Sequence, residues 1–140
     1  MILIDIPGKP IPFKSPHVGA RGTFNPRWHE AEQVKHQIRE QYLDDIIDGP
    51  VEVWFMFYFE IPVSWSKKKR LSALNGHIQH TSTPDRGNCL KFYEDCLQGT
   101  VIKNDSCIVG GDVRKEWSTK SHTLIKIIPL NLAVQMKMPF

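Results

Sequence analysis

Residues 83–105 read TPDRGNCLKFYEDCLQGTVIKND: an acidic loop, a short amphipathic segment and a second acidic turn. With about 100° between successive residues of a helix, Cys89, Leu90, Phe92, Tyr93, Cys96 and Leu97 fall in one apolar arc. Asn88, Lys91, Glu94 and Asp95 take the remainder. A helix divided in this way packs its apolar side on a core. Asp85, between Pro84 and Gly87, suits the N-cap or the entering loop, and Gly99 suits the stop. Asn88, Lys91 and Asp95 form a stripe that runs back toward Asp85. An ordinary solvated face explains such a stripe. Carboxylates at both ends of one helical unit can also converge on a divalent cation and activate water.

Outward from this helix the chain alternates recognisable elements. Upstream, VEVWFMFYF at 51–59 is too short to span a bilayer and too rich in β-branched and aromatic residues for anything but a buried strand. Ile2 to Ile6 reads as a first strand, followed by a loop punctuated by Gly and Pro to Asn25. From Pro26 a helix is predicted through Trp28, Ala31, Val34, Ile38, Tyr42 and Ile46, ended by Gly49-Pro50. Downstream the pattern predicts a short strand at 100–103 and a longer one at 107–117, with a bulge at Gly110-Gly111. A hairpin turn at 118–121 and a final strand at 122–128 complete it. The order implies one α+β domain over residues 1–140, a mixed or antiparallel sheet with two main helices on one face.

The 140 residues are enough for one core and too few for two domains. A net charge of +3 permits a nucleic-acid partner without demanding one. The densest charge run is Lys67, Lys68, Lys69 and Arg70, beside Trp65. It reads as a phosphate track or as a solvated loop; its place before the acidic motif, with His77 and His80, favours DNA contact. Three cysteines, Cys89, Cys96 and Cys107, give neither a CxxC pair nor an even disulfide framework. They read as small buried hydrophobes of a reducing compartment, and the six scattered histidines disfavour zinc. No stretch approaches a membrane span and no charged leader opens the chain, so a soluble intracellular protein is expected. The tail from Pro129 to Phe140 carries Leu130, Leu132, Val134, Met136 and Met138 and calls for a cover, from its own subunit or from a second one.

Pro84-Asp85, Asn88 and Lys91, an acidic position within the helix, and then a turn ending in Asp105, Ser106, Cys107 and Ile108 resemble the RusA-type Holliday junction resolvases. The resemblance reaches upstream to GKPIP at 8–12 and IPVSWSKKKR at 61–70, and so covers nearly the whole chain. It implies a RusA-like fold and a metal-dependent, structure-selective endodeoxyribonuclease acting on branched DNA. It also implies a homodimer and a cytoplasmic protein of bacterial or phage origin. By the family's motif, Asp85 and Asp105 would hold Mg²⁺ or Mn²⁺, Lys91 would neutralise the scissile phosphate, and Asn88 would play a supporting role. Lys67, Lys68, Lys69, Arg70, Arg86, Lys14 and Arg21 are the candidate DNA contacts, with Arg27 nearby.

Two departures bear on activity. Gly87 stands where the family has its second acidic residue, and Asn104 where it has the first of the later pair. Lys14 and His17 stand where many relatives carry arginines. Asp95 is the better candidate than Glu94 to restore charge, and Asp112 is a further one from the next strand. A plain Lys91–Asp95 ion pair accounts for both of those residues equally well. Three functional classes therefore stand: a working resolvase, a junction-binding protein with a decayed metal site, and an interaction module whose charges are only surface.

Overall fold

The computed structural model describes residues 1–130. Strand β4, Val51–Glu60, is its centre, and its residues alternate sides, so Val51, Val53, Phe55, Phe57 and Phe59 are buried. Along one edge β4 pairs antiparallel with β7, His122–Pro129, which in turn pairs antiparallel with β1, Ile2–Pro7. Along the other edge it pairs in parallel with β5, Ile108–Gly110, and then β6, Val113–Ser118. The sheet is therefore mixed and five-stranded. Helices α1, Trp28–Gln41, and α3, Arg86–Leu97, cover one face. Val34 and Ile38 of α1, and Cys89, Phe92, Tyr93, Cys96 and Leu97 of α3, meet the inward residues of β1, β4 and β7 there. The α+β class and the two principal helices on one face are as the sequence predicts.

Several boundaries differ. The first helix ends at Gln41, with Tyr42 as its extended C-cap, so Ile46 lies outside it and is exposed. Its N-cap is Arg27, although Asn25 Oδ1 accepts from the Arg27 amide at 2.9 Å. The basic run is a helix, α2, Lys67–Leu74, because Ser66 Oγ caps the Lys69 amide at 3.2 Å. The amino-terminal loop contains a small hairpin, β2 His17–Gly19 and β3 Gly22–Phe24. The strand expected at 100–103 reduces to bridges of Ile102 with Ile47 and Gln98.

The connection at 118–121 is not a hairpin turn, since β6 and β7 lie on opposite edges of β4. It passes over the end of β4, where Ser118 O accepts from Ile61 N and Ser121 Oγ from Glu60 N. The expected irregularity at Gly110-Gly111 is a break between β5 and β6. Gly111 has φ +118°, and a Cβ there would stand 1.8 Å from Val53 O. The apolar tail lies outside the described residues from position 131 on; Leu130 N donates to Pro50 O at 2.9 Å.

Candidate nucleic-acid cleavage site

Asp85 opens α3. Its Oδ1 accepts from the Asn88 amide at 2.7 Å and its Oδ2 from Asn88 Nδ2 at 3.2 Å. The cap thus fixes the orientation of an exposed carboxylate at the N-terminal, positive end of a helix, a location that favours anions. Asn88 ties the amino-terminal loop to the same point, since its carbonyl accepts from Phe13 N at 2.8 Å. The Tyr93 hydroxyl accepts from Ile11 N at 3.1 Å and seats the same loop on α3.

Two cavities meet at Asp85, each of about 570 Å³. One runs between the 80–83 loop, Arg86 and the start of β6, with Asp112, Arg114 and Lys115 on its wall. The other runs along Lys9 to Phe13, Arg27 and Glu30. Lys115 Nζ donates to Ser82 O at 2.7 Å, and Arg86 Nη1 to Val113 O at 3.3 Å, so both cations brace the cleft they line. Arg27 pairs with Glu30 at 3.4 Å. The result is a groove with Asp85 at its middle and cations on both sides.

Asp112 and Asp85 line the same cleft. Asp105 opens a 3-10 turn, Asp105–Cys107, packed against α3. Burial, reinforced by the charges of Asp105 and Asp95, holds the Glu94 carboxyl above the usual carboxylate range. Asp105 is near enough to Glu94 for its charge to be felt there, and Glu94 stands nine residues along α3 from Asp85, roughly 13 Å of helix rise. Asn104 Oδ1 accepts from the Ser106 amide at 3.0 Å and from the Ser106 hydroxyl, a local capping role.

Lys91 Nζ lies 3.8 Å from Asp95 Oδ2 and over the Phe13 ring at 4.8 Å. Asp95 also accepts from Gln98 Nε2 at 3.3 Å, so the plain ion pair is what the geometry contains. Lys67, Lys68, Lys69 and Arg70 are all exposed on α2, with Lys69 Nζ 4.0 Å over the Trp65 ring. Trp65 meets Trp117 of β6 edge-on at 5.0 Å, which connects α2 to the strand bearing Arg114 and Lys115. Lys14 is exposed ahead of β2, and Arg21 sits in the turn between β2 and β3.

Lys9, Arg114 and Lys115 are groove residues the sequence reading did not select. Their signal is weak: isolated cations with no motif around them, Arg114 and Lys115 brought to the cleft by the β4–β6 pairing and Lys9 by the loop seated on α3. His80 differs from expectation in another way. It is buried, stacked on Phe59 at 4.0 Å and tilted against Trp117 at 4.5 Å, so it is a wall residue of the cleft and not a surface phosphate contact.

Among the described residues no group of three or more His, Cys, Asp or Glu is arranged for a metal, so a caged ion of the zinc type does not fit. A magnesium-type ion is commonly held by one or two carboxylates together with substrate phosphates and water. Asp85 and Asp112 in one cation-lined cleft fit that second pattern.

Residues 7–128 match the family model described as Endodeoxyribonuclease RusA. The chain is also 30% identical over 131 residues to the uncharacterized protein YqaN of Bacillus subtilis (strain 168), covering 86% of this chain and 90% of that one. With the match running from the last residue of β1 through every helix and the other strands to Ile128 of β7, the chain belongs to the RusA endodeoxyribonuclease family.

Proposed function

We propose that this protein is a metal-dependent, structure-selective endonuclease that cuts four-way DNA junctions in the groove centred on Asp85. The observation that carries the reading is the oriented, exposed Asp85 carboxylate at the N-terminus of α3, sharing a cleft with Asp112, Arg86, Arg114 and Lys115. A duplex arm laid along this groove meets cations on both sides of the carboxylate, as phosphate binding requires. Arg86 and Lys115 each use one donor on a backbone carbonyl and keep others for non-bridging phosphate oxygens. Lys91 reaches phosphate by exchanging its weak, exposed Asp95 partner. Asp85 would hold Mg²⁺ or Mn²⁺, which would supply Lewis-acid stabilisation of the phosphoryl oxygens and a more acidic water.

The second ligand is either Asp105, which matches the family motif, or Asp112, which lines the same cleft. A homodimer would present two such grooves to the symmetric strands of a junction, and a reducing cytoplasm suits the three free thiols. A second reading, junction binding without cleavage, is favoured by Gly87 and Asn104, which remove two carboxylates from the family pattern.

Cleavage of a labelled four-way junction in Mg²⁺ and in Mn²⁺ decides between them, with linear duplex as control. The expected result is paired symmetric cuts that Asp85→Asn reduces by more than about a hundredfold. Asn retains the cap, so Tm should hardly move. Asp112→Asn and Asp105→Asn in the same assay identify the second ligand as the one with the larger loss. Tight binding without cuts in either metal leaves only the binding protein.

A further inference from the structure

A third cavity, of about 610 Å³, adjoins the Asp85 cleft and shares His80, Ser82 and Thr83 with it. Its size is within the roughly 300–1,000 Å³ of small-ligand sites. Phe59, His80 and Trp117 form its aromatic wall, and Lys9, Glu60 and Lys120 are its exposed polar rim. His80 and Phe59 are stacked with their planes 21° apart, and Trp117 is tilted against His80. His80 is only 9% exposed, yet its Nδ1 has no hydrogen-bond partner, and neither has the buried Trp117 Nε1. Two adjacent buried polar atoms left unsatisfied in a core would be costly, and such atoms call for an explanation. Burial, with Lys115 next in effect, lowers the His80 pKa, so the imidazole is neutral and packs as part of the aromatic wall.

Resting on the junction-cutting reading above, we propose that this cavity receives a nucleobase turned out of the stack at the branch point. Trp117, the partly exposed member of the wall, supplies stacking, backed by the buried His80 and Phe59 rings; such stacking is tolerant of base identity because every base has a π-face. Lys9 and Lys120 at the rim meet the flanking phosphates, and the shared 82–83 segment leads the backbone of that nucleotide to Asp85. Bases at a branch point are already partly unstacked, so turning one out costs less there than in duplex. The pocket thereby couples recognition of the branch to the position of the cut.

The Asp85→Asn protein should be bound to four-way junctions carrying 5-iodouracil at single positions around the branch, irradiated, and the crosslinked peptide mapped by mass spectrometry. Halogenated uracil couples to the aromatic side chain it stacks on, so the readout needs no substitution in the pocket. The expected result is one dominant crosslink, from a position next to the cut phosphate, to the peptide holding His80 or Trp117. A bound junction that gives no crosslink, or crosslinks only Phe24, Trp28 or Trp54, overturns the pocket and leaves the endonuclease reading intact. A junction bound no better than duplex removes both. As a second measurement, Trp117→Leu should weaken junction binding about tenfold while leaving duplex binding alone; an equal loss on both substrates counts against a base pocket.

Discussion

Both oxygens of the Asp85 carboxylate already accept hydrogen bonds from Asn88, and the arrangement decides what a substitution at its neighbour can do. Gly87 is in the first turn of the helix that Asp85 caps, and a Cβ there would lie 3.9 Å from Asp85 Oδ1, an ordinary contact. A carboxylate introduced at 87 is thus sterically accepted and directed at the Asp85 end of the groove. It replaces a helical glycine and sits where the helix dipole favours negative charge, each worth roughly 0.5–1 kcal/mol. Repulsion from Asp85 offsets part of that gain unless a cation is bound. Gly87→Asp should therefore lower the Mg²⁺ concentration for half-maximal cleavage about tenfold or more. A Mg²⁺ titration that superimposes on that of the unsubstituted protein would show that the missing carboxylate is not what limits this site.

The elements that read best from sequence are those held by period alone. The α3 arc and the alternation in β4 name their buried residues directly, since a helix face and a strand face each repeat at a fixed interval. What did not read is pairing. Nothing in the residues at 118–121 distinguishes a turn joining neighbours from one that steps over β4, because the choice is made by the distant β4–β6 register of Phe55 with Val113. Likewise the α2 helix is hidden by its composition: four cations in its first turn oppose the dipole, and only the Ser66 cap and the apolar contacts of Ala73 offset them. The break between β5 and β6 makes the point testable. The Glu52–Gly110 and Phe55–Val113 pairs keep one register across it only because the backbone at Gly111 closes on Val53. Gly111→Ala adds a clash with a backbone oxygen and strain at positive φ, an expected loss of at least about 3 kcal/mol. Tm should fall by roughly 10 °C or more. Gly110→Ala is the control: its Cβ would meet the flexible Glu52 side chain at 3.4 Å, so the same melt should shift little. Equal melting temperatures for the two would mean that the backbone contact at Val53 is not a constraint.

At the scale of the molecule, a net charge of only +3 conceals a local gathering of cations. Lys9, Arg27, Arg86, Arg114 and Lys115 gather along the groove although they are scattered through the sequence, which is why the motif points to Asp85 while the walls around it do not show in the sequence. The basic run on α2 stands out in the sequence, and Trp65 packing on Trp117, two residues along β6 from Lys115, sets it beside the groove; on the proposed reading the two form one phosphate track. If the track lies along a DNA arm, each phosphate neutralised by α2 releases counterions and steepens the dependence of log K on log salt by about 0.9. Replacing Lys67, Lys68, Lys69 and Arg70 with alanine should then reduce that slope by up to about three to four. Fold should persist, since alanine is the best helix former and the Ser66 cap remains; only the Lys69–Trp65 contact, worth about 0.5–1 kcal/mol, is lost. Phosphate contacts carry no information about base or branch, so affinity for junction and for linear duplex should fall by the same factor. Fluorescence anisotropy at 50–200 mM salt measures both quantities, and an unchanged slope would put α2 off the path of the DNA. A loss confined to the junction would instead place the helix at the branch itself, where the crossing strands bring phosphates of two arms close together.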